Sequence, residues 1–562
     1  MRRHPALAWI ALIPLLGSHT AEAQTPPDAG ALRRQIEQQQ RNTLPPRTEP
    51  QLAPPPPMES LGGAAVTVKS FRFVGNTLLT SAQLTPAVAS YVGRSLDFAA
   101  LQNAALAVAA VYRKSGWVVR VYLPQQDITG GTVTIQIVEA LFGDVRLEGQ
   151  ARRIAPSRIK STVERMQARG TPVNAESLER ALLLLNDLPG LSARGRLSEG
   201  RNQAETDLVL TIADGPLVSG DLIADNAGAR YTGEARLIAD ASLNSRLGLA
   251  DRADLVMLVS EGSSYGRLAY SLPLGNAGWR VGANASHLSY DIVTSEFSAL
   301  DPHGKSTAFG VEATYPLYRS RLKNLFAAVA LDDKRFDNES AAETTTDYSS
   351  RLVTLGLEGN LFDSFNGGGV NTASVALSYG DLDLEGSPNE AIDALTTRAA
   401  GGFGKLRVTI ARQQLLTSRV TLYGSFSGQK ASKNLDSSEK FYLGGSTGVR
   451  AYPESEGGGS EALLVNLEAR VRLPARLHAT GFFDWGSVHV NEDNNIAGAA
   501  TPNTIDLKGV GVALAWRARF GLSLSASLSR RVGHNPAATL NGDDQDGSLD
   551  KNRFWLQASL PF

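Results

Sequence analysis

The chain has 562 residues with 55 basic and 56 acidic side chains, a net charge of −1, so no global field draws it to nucleic acid or to an acidic partner. It contains no cysteine, which excludes a thiol nucleophile, a disulfide framework and a cysteine-ligated metal. A single ordinary domain is excluded by length, and about three or four are expected.

The first 23 residues read as a secretory signal peptide: Arg2 and Arg3, an apolar stretch from Ala6 to Leu16, and the small-residue cleavage site Ala21-Glu22-Ala23. Beyond it, no run reaches the roughly 18 apolar residues of a transmembrane helix. Residues 24–41 carry a short helix, with Asp28 as N-cap and Leu32 and Ile36 on a narrow apolar stripe. Its other faces are polar, which predicts a wet or polar-walled setting. Residues 42–65 form a proline-rich linker able to span about 70 Å when extended.

Two units of one plan follow, at 66–141 and 142–215. Each reads strand, helix, helix, strand, strand. The first opens with a strand over 66–74, and its second helix, starting at Asp97, lines up Leu101, Ala105, Val108 and Tyr112. The second has a strand at 143–149 and helices near 156–169 and 174–188.

From 216 to 562 the period becomes two. Leu463, Val465, Leu467, Ala469 and Val471 fall on one face, and Asn466, Glu468, Arg470 and Arg472 on the other. A soluble sandwich alternates as well. Three further features separate them: about 16 such segments, short turns alternating with long polar loops, and a final strand ending in Phe562. The long loops fall near 291–303, 383–401, 431–460, 490–505 and 532–550. A membrane β-barrel is the expected fold, because a sheet in hydrocarbon must close on itself to pair its backbone.

The stretches "YRKSGWVVRVYLPQQDITGGTVTIQIVEA" (112–140), "DNAGARYTGEAR" (225–236), "GVRAYPE" (448–454) and "GFFDWG" (481–486), in this order, resemble the TpsB transporters of two-partner (type Vb) secretion. The likeness implies an N-terminal plug helix, two periplasmic POTRA domains and a barrel of 16 strands in a Gram-negative outer membrane. It implies a loop motif, Gly448, Val449, Arg450 and Tyr452, that folds into the lumen, with Arg450 paired to Asp484 on the thirteenth strand. Strand alternation places Asp484 on the lumen face with His478, Thr480 and Phe482. Members usually have glycine after the arginine, where this chain has Ala451. If that position needs a positive φ, alanine is strained there.

The resemblance also implies export of a large secreted partner of adhesin or haemolysin type, without ATP, and with outer-membrane lipid around the barrel. The C-terminal strand ending in Phe562 is expected to address the barrel assembly machinery. Capture of the unfolded partner is assigned to POTRA strand edges, around Trp117, Val119, Val121 and Leu123 and around Leu191 and Leu197. Alternatives are a factor that inserts other barrels, and a passive pore or receptor.

Enzyme chemistry finds little footing. Gly444-Gly445-Ser446-Thr447-Gly448 fits a nucleophile-elbow pattern, but Pro453 and Gly457-Gly458-Gly459 cannot supply the helix that an elbow needs. The histidines are scattered without zinc spacing, and "NGDDQDGSLD" (541–550) resembles a calcium loop only in composition. No cofactor, metal or nucleic acid is expected.

Overall fold

The computed structural model describes residues 26–39 and 65–562, except 129, 203, 342 and 540. The signal peptide and most of the proline-rich linker lie outside the described residues. Sixteen antiparallel strands close into one barrel, from Val218–Asp225 through to Asn552–Pro561, each strand beside its sequence neighbour. Alternation does the sorting. Val510, Val512, Leu514 and Trp516 stand exposed on the outer wall, as do Leu463, Leu467 and Phe483, while Lys334, Lys405, Gln429 and Asp484 are buried inside. Loops at one end are tight, such as 320–322 and 473–476; those at the other end hold the long segments 292–302, 384–400, 432–460, 490–503 and 532–551. No helix among the described residues is long and apolar enough to cross a membrane.

The two α+β modules follow the expected order, with one revision. The opening strand breaks: Val66–Thr67 pairs with Ser95–Leu96, and only Ser70–Val74 joins the three-stranded sheet, parallel to Thr132–Glu139. Val68 and Lys69 turn their amides to Arg94 and Gly131 instead, which interrupts the ladder. The long helix Phe98–Lys114 is capped by Asp97 and buries Leu101, Ala105, Val108 and Tyr112. In the second module, helices Pro156–Met166 and Ala175–Asn186 cover a sheet ordered 141–150, 205–214, 191–199.

The modules are joined by backbone bonds, Val118 N–H to Val173 O (3.1 Å) and Val173 N–H to Ala140 O (2.8 Å). The second module is bolted to the tight-turn end of the barrel. Arg319 grips Asp187 through two bonds (2.8 and 2.7 Å), Arg180 donates to Pro316 O, and Ala250 of a barrel turn is fully buried in the module's core.

Inside the barrel lies the helix Ala29–Gln39. It runs from the seventh strand, where Ala29 N–H meets Asn338 Oδ1 (2.9 Å), to the second, where Arg236 reaches Gln39 Oε1 (2.7 Å). Asp28 caps it through Ala31 N–H, as expected. Its surroundings are only partly the polar ones that its sequence implies. Arg33 donates to Ser286 Oγ and Arg34 to Lys440 O, but Leu32 and Ile36 pack with Leu288, Phe336, Leu382 and Phe403 in an apolar lumen patch. Lys334 lies between Glu37 of the helix (3.6 Å) and Glu439 of the 432–460 loop (3.1 Å), and Lys405 also pairs with Glu439. Burial raises the Glu439 carboxyl, but Lys334, Lys405 and Arg34 outweigh that and hold it at about 2.

Gly30 is the tightest point of this fit. A Cβ there would lie 2.6 Å from Ser437 Oγ and 2.8 Å from Tyr348 Oη. Overpacking of this kind costs about 1–3 kcal/mol, so Gly30→Leu is expected to shift the helix-in state by about tenfold toward helix-out. Conductance of the full chain in planar bilayers should rise accordingly; an unchanged conductance would mean that the helix does not seat on Tyr348 and Ser437.

Candidate functional site

The 432–460 loop joins the eleventh strand (Val420–Ala431) to the twelfth (Glu461–Arg472) and folds back into the lumen. A two-residue ladder, Phe441–Tyr442 against Gly458–Gly459, makes it a narrow hairpin. At its tip Val449 N–H reaches Leu443 O (2.7 Å). Gly448 passes so close beneath that a Cβ would sit 2.0 Å from Leu443 O, so only glycine fits. Val449, Ala451 and Tyr452 are fully buried with Leu443, Leu464, Val488 and Leu507. Ala451 is not strained. It lies outside the left-handed region, and its methyl packs on Gly509 of the fourteenth strand, where any Cβ would come within 2.7 Å of it. The positive φ angles fall instead at Gly445, Ser455 and Gly457.

Arg450 points from this tip into a set of fixed partners. Asp484, fully buried on the thirteenth strand (Leu477–His489), accepts from Arg450 Nε (2.9 Å), Nη2 (2.7 Å) and the backbone N–H (3.1 Å). Asn466 bonds both Asp484 Oδ1 (2.8 Å) and Gly448 O (2.9 Å), fastening the same carboxylate to the loop backbone. Nη1 reaches Glu468 Oε1 (2.9 Å), whose other oxygen accepts from Arg470 Nε (2.7 Å). The guanidinium lies 3.5 Å from the centre of the Phe482 ring. On the far side, Ser529 Oγ (2.5 Å) and Trp555 Nε1 (2.8 Å) donate to Arg450 O. Burial lowers the guanidinium pKa, but Asp484 and Glu468 more than reverse this, so it stays charged. Two cations face two anions, all hydrogen-bonded, which makes a buried pair durable.

The Arg450–Asp484 meeting is thus present in the geometry. Glu468, Asn466 and Phe482 were not singled out as partners from sequence, although strand parity already puts all three on the lumen face. Ser529 and Trp555 carry no motif that marks them.

In the acidic stretch 541–550, arginines hold two of the aspartates. Asp544, fully buried, pairs with Arg531 and with Arg553 (3.4 Å); Asp546 pairs with Arg553 (3.2 Å). Glu456, also fully buried, joins this cluster from the inward loop, accepting from Asn535 Nδ2 (2.6 Å) and Gln545 N–H (2.9 Å). Two arginines already balance two aspartates, so a third carboxylate has no countercharge. Burial, then Asp544, push the Glu456 carboxyl up to about 8.

Ser446 donates to Glu454 Oε1 (3.1 Å), which also accepts its backbone N–H. The residue belongs to a loop turn, with no helix after it. Among the described residues no group of three or more histidines and carboxylates is placed to hold a metal.

The proposed capture residues are placed differently from one another. Val119–Tyr122 is an edge strand, paired on one side only. Its Val121 is buried, and Val119, Leu123 and Trp117 pack on the same core, so their side chains face inward; Arg120 and Tyr122 face out. Trp117 is taken up by the module junction, bridged to Asn174. In the second module Leu191–Glu199 is also an edge, with Leu191 and Leu197 turned to the core. There the Asn186 side chain bonds both the N–H (2.9 Å) and the C=O (2.8 Å) of Ala193, so part of that edge is already occupied.

Comparisons with known proteins bear on the whole chain. The model of the haemolysin secretion/activation protein family ShlB/FhaC/HecB matches residues 204–508, and that of the ShlB-type POTRA domain matches 66–140. The heme/hemopexin transporter protein HuxB of Haemophilus influenzae is 26% identical over 587 aligned residues covering 100% of both chains. The outer membrane transporter CdiB of Dickeya dadantii is 25% identical over 70% of each. The solved structure of CdiB from Escherichia coli superposes with a TM-score of 0.71 at 21% identity, over 96% of this chain and 100% of that one. BamA from Haemophilus ducreyi shares the fold at a TM-score of 0.53 and 14% identity, over 88% of this chain and 100% of that one.

Arg450→Ala leaves the buried Asp484 without a countercharge, a loss of about 3–5 kcal/mol, and is expected to detach the loop tip and cut transport by more than tenfold. Asp484→Asn should fall nearly as far, and the double variant little further, measured as transported partner per folded barrel. Arg450→Lys keeps charge but not the fork, and should sit between.

For Glu456 the raised pKa makes the folded state bind the extra proton. The Glu456 clasp is therefore complete below the unfolded carboxyl's range near 4.5 and is lost as pH rises through about 8. The slope is about 1.4 kcal/mol per pH unit inside that window. The groups facing Glu456 are Asp544, Asp546, Asn535 and Gln545, with Arg531 and Arg553 behind them. Limited proteolysis of the loop should accelerate as pH rises from about 5 to about 8 and level off above that, and Glu456→Gln should flatten that profile.

Proposed function

The chain belongs to the haemolysin secretion/activation protein family of two-partner secretion, and from that premise we propose how it moves its partner. It captures an exported, unfolded polypeptide in the periplasm at the edge of the first POTRA module and passes it through the barrel lumen to the outside. The single observation that carries the reading is the covalent order: a half-open β edge, a module bolted to the turns, and a lumen plugged by a helix and a salt-bridged loop. An unfolded chain adds to an open edge through main-chain bonds, with little demand on its sequence. The edge at Val119–Tyr122 suits this better than Leu191–Glu199, because Asn186 occupies the latter.

Beyond the edge, a polar cavity of about 510 Å³ lies in the lumen beside Arg450, walled by Asn360, Thr372, Ser374, Thr409 and Ser425. Small hydroxyl and amide side chains make a wall on which an extended chain can exchange hydrogen bonds without being held. The inner helix closes the lumen beyond it and must leave for transport to proceed. Folding of the partner outside biases the motion forward, so no nucleotide is required. Ser446 serves the turn and no catalytic step is assigned to it. The secreted partner is a large adhesin- or haemolysin-type protein, and the strand ending in Phe562 addresses the assembly machinery; the Phe562 ring lies over Gly220 on the first strand.

Photo-crosslinkers at Arg120 and Tyr122, in cells of the source organism, are expected to trap one dominant large secreted protein. The same probes at Arg194 and Arg196 should trap it several times less. A ladder of nascent outer-membrane barrels instead would make this an assembly factor. Ser446→Ala is expected to leave secretion intact; loss of activity there with Arg450→Ala unaffected would overturn this reading of the loop.

A further inference from the structure

The barrel closes where its last strand meets its first, and this seam is the shortest in the sheet. Five residue pairs register across it, from Pro561↔Asp221 to Gln557↔Asp225. The strands on either side, one with two and fifteen with sixteen, register eight each. Toward the long-loop end, Asn226 carries the ladder on beyond these five pairs. Its side-chain oxygen accepts from Leu556 N–H (2.7 Å), its amide nitrogen donates to Phe554 O (2.9 Å), and its backbone N–H reaches Leu556 O (3.3 Å). One asparagine thus stands in for the next rung. Its neighbour Asp225 is held by Arg236 through two bonds (2.8 and 3.1 Å), which fixes the turn from which Asn226 reaches across.

The same closing hairpin holds the tip of the inward loop. Ser529 on the fifteenth strand (Ser523–Arg531) and Trp555 on the sixteenth both donate to Arg450 O, and the Arg531 guanidinium lies 4.7 Å from the centre of the Tyr452 ring. Arg450 is therefore gripped from two sides: its side chain by strands twelve and thirteen, its carbonyl by strands fifteen and sixteen. Trp555 sits one residue from both Phe554 and Leu556, the two partners of Asn226.

We infer that Asn226, Ser529 and Trp555 are positioning residues that couple the loop tip to barrel closure: the asparagine fastens the outer half of the seam, and the serine and tryptophan tie the fastened hairpin to Arg450. When the loop lets go of the hairpin, the seam loosens; when the loop is seated, the wall stays shut under the load of a passing chain. The loop then acts as a brace across the weakest line of the barrel as well as an obstacle in the lumen. The thermal part of this inference stands on the seam alone, and only its secretion part rests on the proposed function.

The chain has no cysteine, so Ala224→Cys with Ala558→Cys, directly opposite across the seam, makes a unique disulfide on oxidation. The measurements use full-length protein in outer membranes: the temperature at which the folded band converts to the unfolded one in a detergent gel, and secreted partner per folded barrel. Asn226→Ala, Trp555→Phe and the milder Ser529→Ala are expected to lower the conversion temperature by a few degrees. Secretion should fall by about fivefold, the weight of one such hydrogen bond. The oxidised seam should restore both quantities in all three variants, and the temperature in Arg450→Ala. Asn371→Ala, which removes a comparable bond far from the seam, should lose temperature that the disulfide does not return. Unchanged temperatures in Asn226→Ala and Trp555→Phe, or defects that persist with the seam locked, overturn the inference. If the temperature recovers but secretion does not, the coupling through Trp555 is wrong. Failure of the unmutated chain to secrete would count against the proposed function and leave the thermal test standing.

Discussion

A backbone amide or carbonyl in hydrocarbon has no water to fall back on, and most of this structure follows from that constraint. Every barrel strand between Val218 and Pro561 must find a neighbour on both sides, so the sheet closes. Closure turns alternate residues to lipid and to the lumen, which is why Val512 and Leu514 stand exposed while Asp484 and Lys405 are buried. It also concentrates risk at one place, because the first and last strands must meet after the rest has formed. Asn226 is the local answer: a side-chain amide offers both an N–H donor and a carbonyl acceptor, as the peptide group it replaces does.

The lumen obeys a second rule. Charges enclosed by protein are tolerated when each has a partner and no lone pair is left idle. Arg450 with Asp484 and Glu468, and Lys334 and Lys405 with Glu439, meet this rule, and in both cases one member belongs to the inward loop. The Lys334–Glu439 group also touches the inner helix through Glu37, so the helix and the loop share a wall lysine. The two obstructions in the lumen are therefore not independent. Displacing the helix leaves Lys334 and Lys405 to share Glu439 alone, and displacing the loop takes that carboxylate from Lys405.

Much of this was legible in the chain before any coordinates. The period-two stretches, the alternation of short and long connections and the two repeated α+β units depend on local composition, which sequence carries directly. Asp28 and Asp97 announced their helices for the same reason: a cap is a contact between residues three apart. Arg450 and Asp484 came as a pair through family resemblance, while Glu468 and Phe482, on the same lumen face, did not. What failed was position within a sheet. Val119, Val121 and Leu123 lie on the strand edge assigned to capture, yet in a two-layer module the apolar parity is the side that packs on the helices, so the edge offers its backbone and not these side chains. The break after Thr67 depends on amides bonding to Arg94 and Gly131, distant residues that no local pattern reveals. Ala451 shows the opposite error: it seemed to demand a strained backbone, and the accommodation lies in Gly509, on another strand.

The way the periplasmic arm is mounted has a further consequence. Val118 and Val173 lock module to module, and Arg319 on Asp187 with the buried Ala250 locks module to barrel. An arm fixed at both joints is a ruler. The distance from the free edge at Val119–Tyr122 to the mouth of the lumen is set by the scaffold and not by the passenger. With capture at that edge, as proposed, a passenger has to place the segment that docks and the segment that enters at a matching interval along its own chain. Spacing, more than the identity of either segment, becomes the password.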